Sequence, residues 1–269
     1  MNIPALRSAA VALLFLSASA SAEKLSDDDL AHIREELGVN SYTAPSIQLL
    51  FKELNALKPI PFEKVWRDLP DSTPQDRARL ALSIGAVIAD GFLTVTAEKQ
   101  SGIEPIGRVL LRLAKGLGVG DHVTKHSRSI IEKAARKEWG DIRKELIRSQ
   151  AEVEAALLGL KDEEMAHLVA LGGWLRGLEI TTSIVHESYT PARASRLIQP
   201  ELMNYFLDRV STLNPKFKKT KLGTALEKNL REIKRITTKP VNTAVEPDEV
   251  TRVRELVREI NALVSGGEE

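Results

Sequence analysis

The stretch Glu163 to Ser188, EEMAHLVALGGWLRGLEITTSIVHES, is apolar on nearly every side. Met165, Leu168, Leu171, Leu175 and Leu178 recur at helical spacing, while Val169, Trp174, Ile180, Ile184 and Val185 carry apolar character onto the other faces. A helix of this kind has no face to offer water, so it predicts a central position with neighbours on several sides. Gly172, Gly173 and Gly177 interrupt it. Each glycine inside a helix costs up to about 1 kcal/mol relative to alanine, so their clustering predicts a second backbone crossing at close range. One polar stripe remains: Arg176, Glu179, Ser183 and His186 follow at intervals that place them on one face. If that face is buried, Arg176 requires an anionic partner.

The counterpart is QDRARLALSIGAVIADGFLTVTAEK, whose apolar part from Leu80 to Ala97 carries Asp90 as its only charge, with Gly85 and Gly91 on either side. Its length approaches that of a membrane span. A central aspartate costs about 2.5–3.5 kcal/mol on insertion scales, and no aromatic belt flanks the run, which favours a buried helix and a mature chain that does not span a membrane. The end from Phe92 to Thr96 is rich in β-branched residues, so a strand is the alternative there. Two apolar segments, each with glycines and one isolated charge of opposite sign, predict a crossing at the glycines and an Asp90–Arg176 pair. Ser83 and Thr94 share the face of Asp90 and are candidates to join it. The expected buried polar network is therefore Asp90, Arg176, Glu179 and Ser183.

Residues 1–22 have the pattern of a secretory signal: Arg7, a short apolar run from Ala9 to Leu16, and Ala20-Ser21-Ala22 before Glu23. Cleavage after Ala22 would give a periplasmic or secreted protein. The chain has no cysteine, which excludes disulfides, thiolate metal sites, thiol nucleophiles and c-type haem attachment. Removing Arg7 leaves 37 bases against 37 acids, yet the charges are unevenly placed. Glu23 to Asp76 holds eleven acids and six bases, whereas Lys216 to Lys239 holds nine bases and two acids.

Further helices are predicted over Leu25–Leu37 with Ser26 as cap, Ala44–Leu57 behind Thr43 and Pro45, and Phe62–Leu69. Thr73-Pro74 is the expected start of the Asp90 helix. Glu104–Leu117, His122–Trp139 with Asp121 as cap, and Asp141–Leu160 follow. In the last of these, Ile142, Leu146, Val153, Leu157 and Leu160 are core candidates. Glu201–Leu213 and Leu222–Ile236 continue the pattern, and Val250, Val253, Val257, Ile260 and Val264 form the seam of a final helix. The fold class is all-α, a multi-helix bundle or orthogonal helical domain. Residues 23–213 form its core, and residues 214–269 a basic connector with peripheral C-terminal helices.

Few residues suggest chemistry. His122 and His126 stand four apart, a spacing metal sites use, but Lys125 and Arg128 beside them favour two solvent-facing histidines. Glu164 and His167 match the Glu-x-x-His element of di-iron carboxylate bundles, which needs a second copy and further glutamates; the chain has one copy. Gly116, Gly118 and Gly120 lack the strand and the GK[ST] of a phosphate loop. No cofactor motif is present. Lys216, Lys218, Lys219 and Lys221 form a candidate patch for an anionic partner. Nucleic acid fits poorly, because only Phe217 interleaves these bases.

The phrases LGVNSYTAPSI, IADGF and AHLVALGGWLRGLE resemble those of a family of exported, all-helical bacterial proteins without an assigned activity. The resemblance runs from about Leu37 to Ile184 and implies no catalytic residues. Three functional classes follow from the sequence. The first is a cell-envelope binding or scaffold protein that meets an envelope protein or an anionic envelope component. The second is a metal-binding carboxylate–histidine protein built on Glu164 and His167. The third is an enzyme with an acid–base site near Asp90, Arg176 and Glu179.

Overall fold

The computed structural model describes residues 48–240 and 243–266. The signal segment, the cleavage position after Ala22, the Leu25–Leu37 helix with its Ser26 cap, and the Thr43 and Pro45 signals lie outside the described residues. Every regular element among the described residues is a helix. In chain order they are α1 (Gln48–Ala56), α2 (Phe62–Val65), α3 (Arg77–Thr96), α4 (Gln100–Leu117), α5 (Gly120–Ala135), α6 (Trp139–Gly159) and α7 (Glu163–Glu187). There follow α8 (Pro191–Ala194), a 3-10 turn (Ser195–Leu197), α9 (Pro200–Ser211), α10 (Pro215–Lys218), α11 (Lys221–Thr237) and α12 (Pro247–Val264).

The centre is the crossing of α3 and α7. A Cβ on Gly85 would stand 1.8 Å from the Val169 carbonyl oxygen, and one on Gly172 would stand 2.0 Å from that of Leu82. The two backbones touch, and glycine is what permits it. Gly91 is not part of the crossing: its nearest neighbour is the Leu146 side chain of α6, at 3.3 Å. Around this pair, α4 packs on α3 and α5, α6 on α5 and α7, and α12 on α7 and α11, with α9 against α11. Both α3 and α7 are long and apolar enough to cross a membrane, and nearly all of that surface is buried against neighbouring helices.

Several boundaries differ from the sequence expectation for local reasons. The start of α3 is set by Asp76, whose side chain accepts from the Arg79 amide at 2.7 Å, rather than by Thr73. The end of α3 is helical throughout, since Phe92, Leu93 and Val95 are all buried and tertiary packing overrides β propensity. Helix α4 begins at Gln100 and carries Pro105 inside it, and Asp121 sits in the first turn of α5 rather than at its cap. The α4–α5 turn uses Gly118 at φ 89°, a left-handed position that suits glycine. Leu160, expected in the core, is 61 % exposed because α6 ends one residue before it.

Helix α12 is firmly docked. Val250, Val253, Leu256, Val257, Ile260 and Val264 are buried, and its first turn is closed by a Glu246–Glu249 capping box.

Candidate functional site

Helices α3 and α7 bring Asp90 and Arg176 together inside the core. Arg176 Nε donates to Asp90 Oδ1 at 2.7 Å, its Nη2 donates to the Val65 carbonyl at 2.6 Å, and its Nη1 lies 2.9 Å from Glu179 Oε2. Burial alone would disfavour the guanidinium charge. Asp90 and Glu179 outweigh it and hold the Arg176 pKa above its ordinary value. Arg67, which no sequence pattern singles out, donates from Nε to the other Asp90 oxygen at 3.0 Å.

The network then reaches α12. Asn261 Nδ2 donates to Glu179 Oε2 at 2.8 Å and to the Leu175 carbonyl at 3.3 Å, while Arg67 Nη1 donates to Ser265 Oγ at 3.3 Å. Ser183 is buried on α7, but no hydrogen bond among the described residues links it to these charges. Ser83 and Thr94 donate to the backbone carbonyls of Arg79 and Asp90, not to the carboxylate. His186 is exposed at the far end of the stripe and shares a hydrogen bond with Thr251.

Asp90 is 0 % exposed, so its carboxylate does not meet a substrate in this arrangement. The pair joins α2, α3 and α7, and through Glu179 and Arg67 the network extends to α12.

Among the described residues, Glu164 and His167 are not joined by a third metal-ligating group. His167 Nδ1 shares a 2.7 Å hydrogen bond with the Tyr205 hydroxyl of α9. Burial, then the Arg209 charge, pushes the His167 pKa down and keeps the ring neutral. Among the described residues no three histidine or carboxylate groups are placed to hold a metal ion. On α6, Glu154 accepts from Gln150 Nε2 at 2.7 Å, and burial pushes its carboxyl up to about 7.

The histidines of α5 also part company. His122 is exposed, but His126 is buried, which corrects the expectation of two solvent-facing rings. His126 Nδ1 meets Glu145 Oε1 at 2.6 Å, and Lys133 Nζ reaches the other Glu145 oxygen at 3.0 Å. Burial opposes the Glu145 charge, yet these hydrogen bonds hold its carboxyl below the usual range. Glu152 Oε2 lies 2.9 Å from His126 Nε2 without hydrogen-bond alignment. Glu145 lies nineteen residues away on the next helix, so the i, i+4 histidine spacing carried no signal of it.

The basic patch is longer than the four lysines suggested. Lys216, Lys219 and Lys221 are exposed, whereas Lys218 is half-buried and donates to the Ser211 carbonyl at 2.9 Å. Along α11, Lys221, Lys228, Arg231 and Arg235 fall at intervals that align them on one exposed face, with Lys234 beside them. The two carboxylates of this helix are neutralised: Glu227 by Arg231 at 2.7 Å, and Glu232 by Arg252 of α12 at 2.8 Å. Beneath the face, Asn229 is fully buried and donates to the Leu256 carbonyl at 3.2 Å and Glu259 Oε2 at 3.0 Å. These bonds mount α11 on α12, which the Asn261–Glu179 contact ties to the core. No protein-family model, curated protein or solved structure matches the chain.

Proposed function

We propose that this chain is an exported helical binding protein that presents the α10–α11 face to an anionic component of the cell envelope. The carrying observation is the set Lys216, Lys219, Lys228, Lys234 and Arg235, which are exposed and have no ion pair among the described residues. Lys228, Lys234 and Arg235 stand on α11, which is docked through Leu222, Leu226, Leu230 and Ile233, while Lys216 and Lys219 belong to α10 and the turn after it. A preorganised row of cations loses little conformational freedom on binding an anion. Phe217 is buried under the patch, which removes the aromatic platform that single-stranded nucleic acid would use.

The other two classes find less support. The Glu164–His167 pair has its imidazole occupied by Tyr205 and a guanidinium beside it, and the Asp90 carboxylate is sealed in the core.

The test is retention on an immobilised polyanion as salt is raised. Screening weakens electrostatic contacts, so the parent chain should elute late, and a variant with Lys216, Lys219, Lys228 and Lys234 changed to glutamine should elute early. Equal elution of the two chains overturns the assignment. Export is tested separately by sequencing the N-terminus of the secreted product, expected at Glu23.

A further inference from the structure

Resting on that anion-binding reading, we propose that the partner of the α10–α11 face is the headgroup layer of an anionic lipid bilayer, contacted flat and without insertion. Four features carry it.

The first is shape. The outward side of an exposed helix is convex, and α11 is 17 residues long, about 25 Å at 1.5 Å per residue. A convex row of charges meets a plane along its whole length, whereas a discrete ligand needs walls. The second is chemistry. Of the five exposed cations on this face that have no ion pair among the described residues, four are lysines, point charges on flexible stems, and only Arg235 offers a planar fork. Point charges suit laterally mobile headgroups that rearrange beneath them. Arginine forks are the group selected where a fixed carboxylate or phosphate is read in two-pronged geometry.

The third is the lack of an apolar anchor on this face. The large hydrophobic side chains exposed among the described residues are Ile131, Leu158 and Leu160, on α5, α6 and the turn after α6. Contact at α11 is therefore electrostatic and peripheral rather than the buried-face binding of an interfacial helix. The fourth is orientation. The whole chain has a formal charge of only +1, so attraction comes from the uneven placement of charge rather than its sum. An extended charged plane aligns such a molecule with its basic side inward, and the attraction fades within a Debye length.

The experiment is co-sedimentation of the full chain with vesicles containing anionic phospholipid, with neutral phosphatidylcholine vesicles and with soluble polyphosphate as a competitor. The parent is compared with K228Q/K234Q/R235Q. Both proteins carry the same apolar N-terminal run, so its contribution cancels. Circular dichroism confirms that the variant is folded, as expected for three exposed side chains.

The expected result is salt-sensitive binding to anionic vesicles alone, reduced in the variant by about two orders of magnitude if each cation contributes as juxtamembrane bases do. Binding to polyphosphate with none to anionic vesicles overturns the lipid assignment and leaves the anion-binding reading standing. Binding to neither overturns both. Vesicle binding that is equal in the two proteins and insensitive to salt also overturns the inference, since the contact then lies elsewhere.

Discussion

Arg176 Nε donates to Asp90 Oδ1 at 2.7 Å across the α3–α7 crossing, and both side chains are withdrawn from water. Removing one partner of a buried pair strands the other, which costs about 3–5 kcal/mol. Asp90→Asn should therefore lower stability by about that amount in urea unfolding, because Arg67 and Arg176 both lose their carboxylate charge. Arg67→Met should cost less, about 1–2 kcal/mol, since its side chain keeps some solvent access and Asp90 keeps Arg176. Equal urea midpoints for D90N and the parent would show that the pair does not hold the crossing.

The crossing makes a second prediction that separates two glycines. Gly85→Ala drives a Cβ into the Val169 carbonyl, a backbone atom that yields only if α3 and α7 part. A loss above about 3 kcal/mol, or failure to accumulate folded protein, is expected. Gly107, inside α4, has its nearest obstacle at 3.8 Å, so Gly107→Ala should gain about 0.5–1 kcal/mol from helix propensity. Thermal melts of the two variants moving in the same direction would contradict this geometry.

Glu154 predicts a pH dependence of definite sign. Its folded carboxyl is raised to about 7, from the ordinary 4.5. Below the unfolded value the group is protonated in both states, and no penalty applies. Between about pH 4.5 and about pH 7 the unfolded chain loses the proton while the folded chain keeps it, so stability falls as pH rises. The loss is of the order of 1–3 kcal/mol by about pH 8. Glu154→Gln should remove this fall between about pH 5 and about pH 8 and leave the opposite contribution of His167, whose depressed pKa makes stability rise with pH in that range, while the depressed carboxyls of Glu145 and Glu249 stay ionised. A slope unchanged by the substitution would remove Glu154 as its source.

The contrast between Asp90 and Arg67 explains what was legible in the sequence. An isolated charge in an apolar helix announces its need for a partner, so Asp90 and Arg176 point to each other from 86 residues apart. Helical spacing puts Arg67 inside a Phe62–Leu69 helix, but the helix ends at Val65 and Trp66 is extended, which turns Arg67 towards Asp90 and Ser265. Helical spacing misplaces His126 because it describes one helix at a time, while its burial depends on α6, which supplies Glu145. The basic character of residues 216–239 was visible as composition. Its alignment follows from spacing along α11, and Glu227 pairs with Arg231 inside that helix, whereas the pairing of Glu232 with Arg252 depends on the packing of α11 on α12.

That mounting is itself testable. Asn229 and Asn261 are buried amides that join α11 to α12 and α12 to α7, and each satisfies a backbone carbonyl as well as a glutamate. Replacing either by alanine removes an amide that donates to a helix carbonyl and to a glutamate, at about 1–3 kcal/mol per site. The cost should fall locally, because α3 and α7 keep their own crossing. Hydrogen exchange in the double variant N229A/N261A should accelerate by about ten- to a hundredfold across Pro247–Val264, with the α3 amides little changed. If the basic face works as a rigid row, the same variant should also bind anionic vesicles more weakly while retaining every exposed cation. Faster exchange with undiminished binding would show that α11 presents its charges without the support of α12, and that preorganisation adds nothing to the contact.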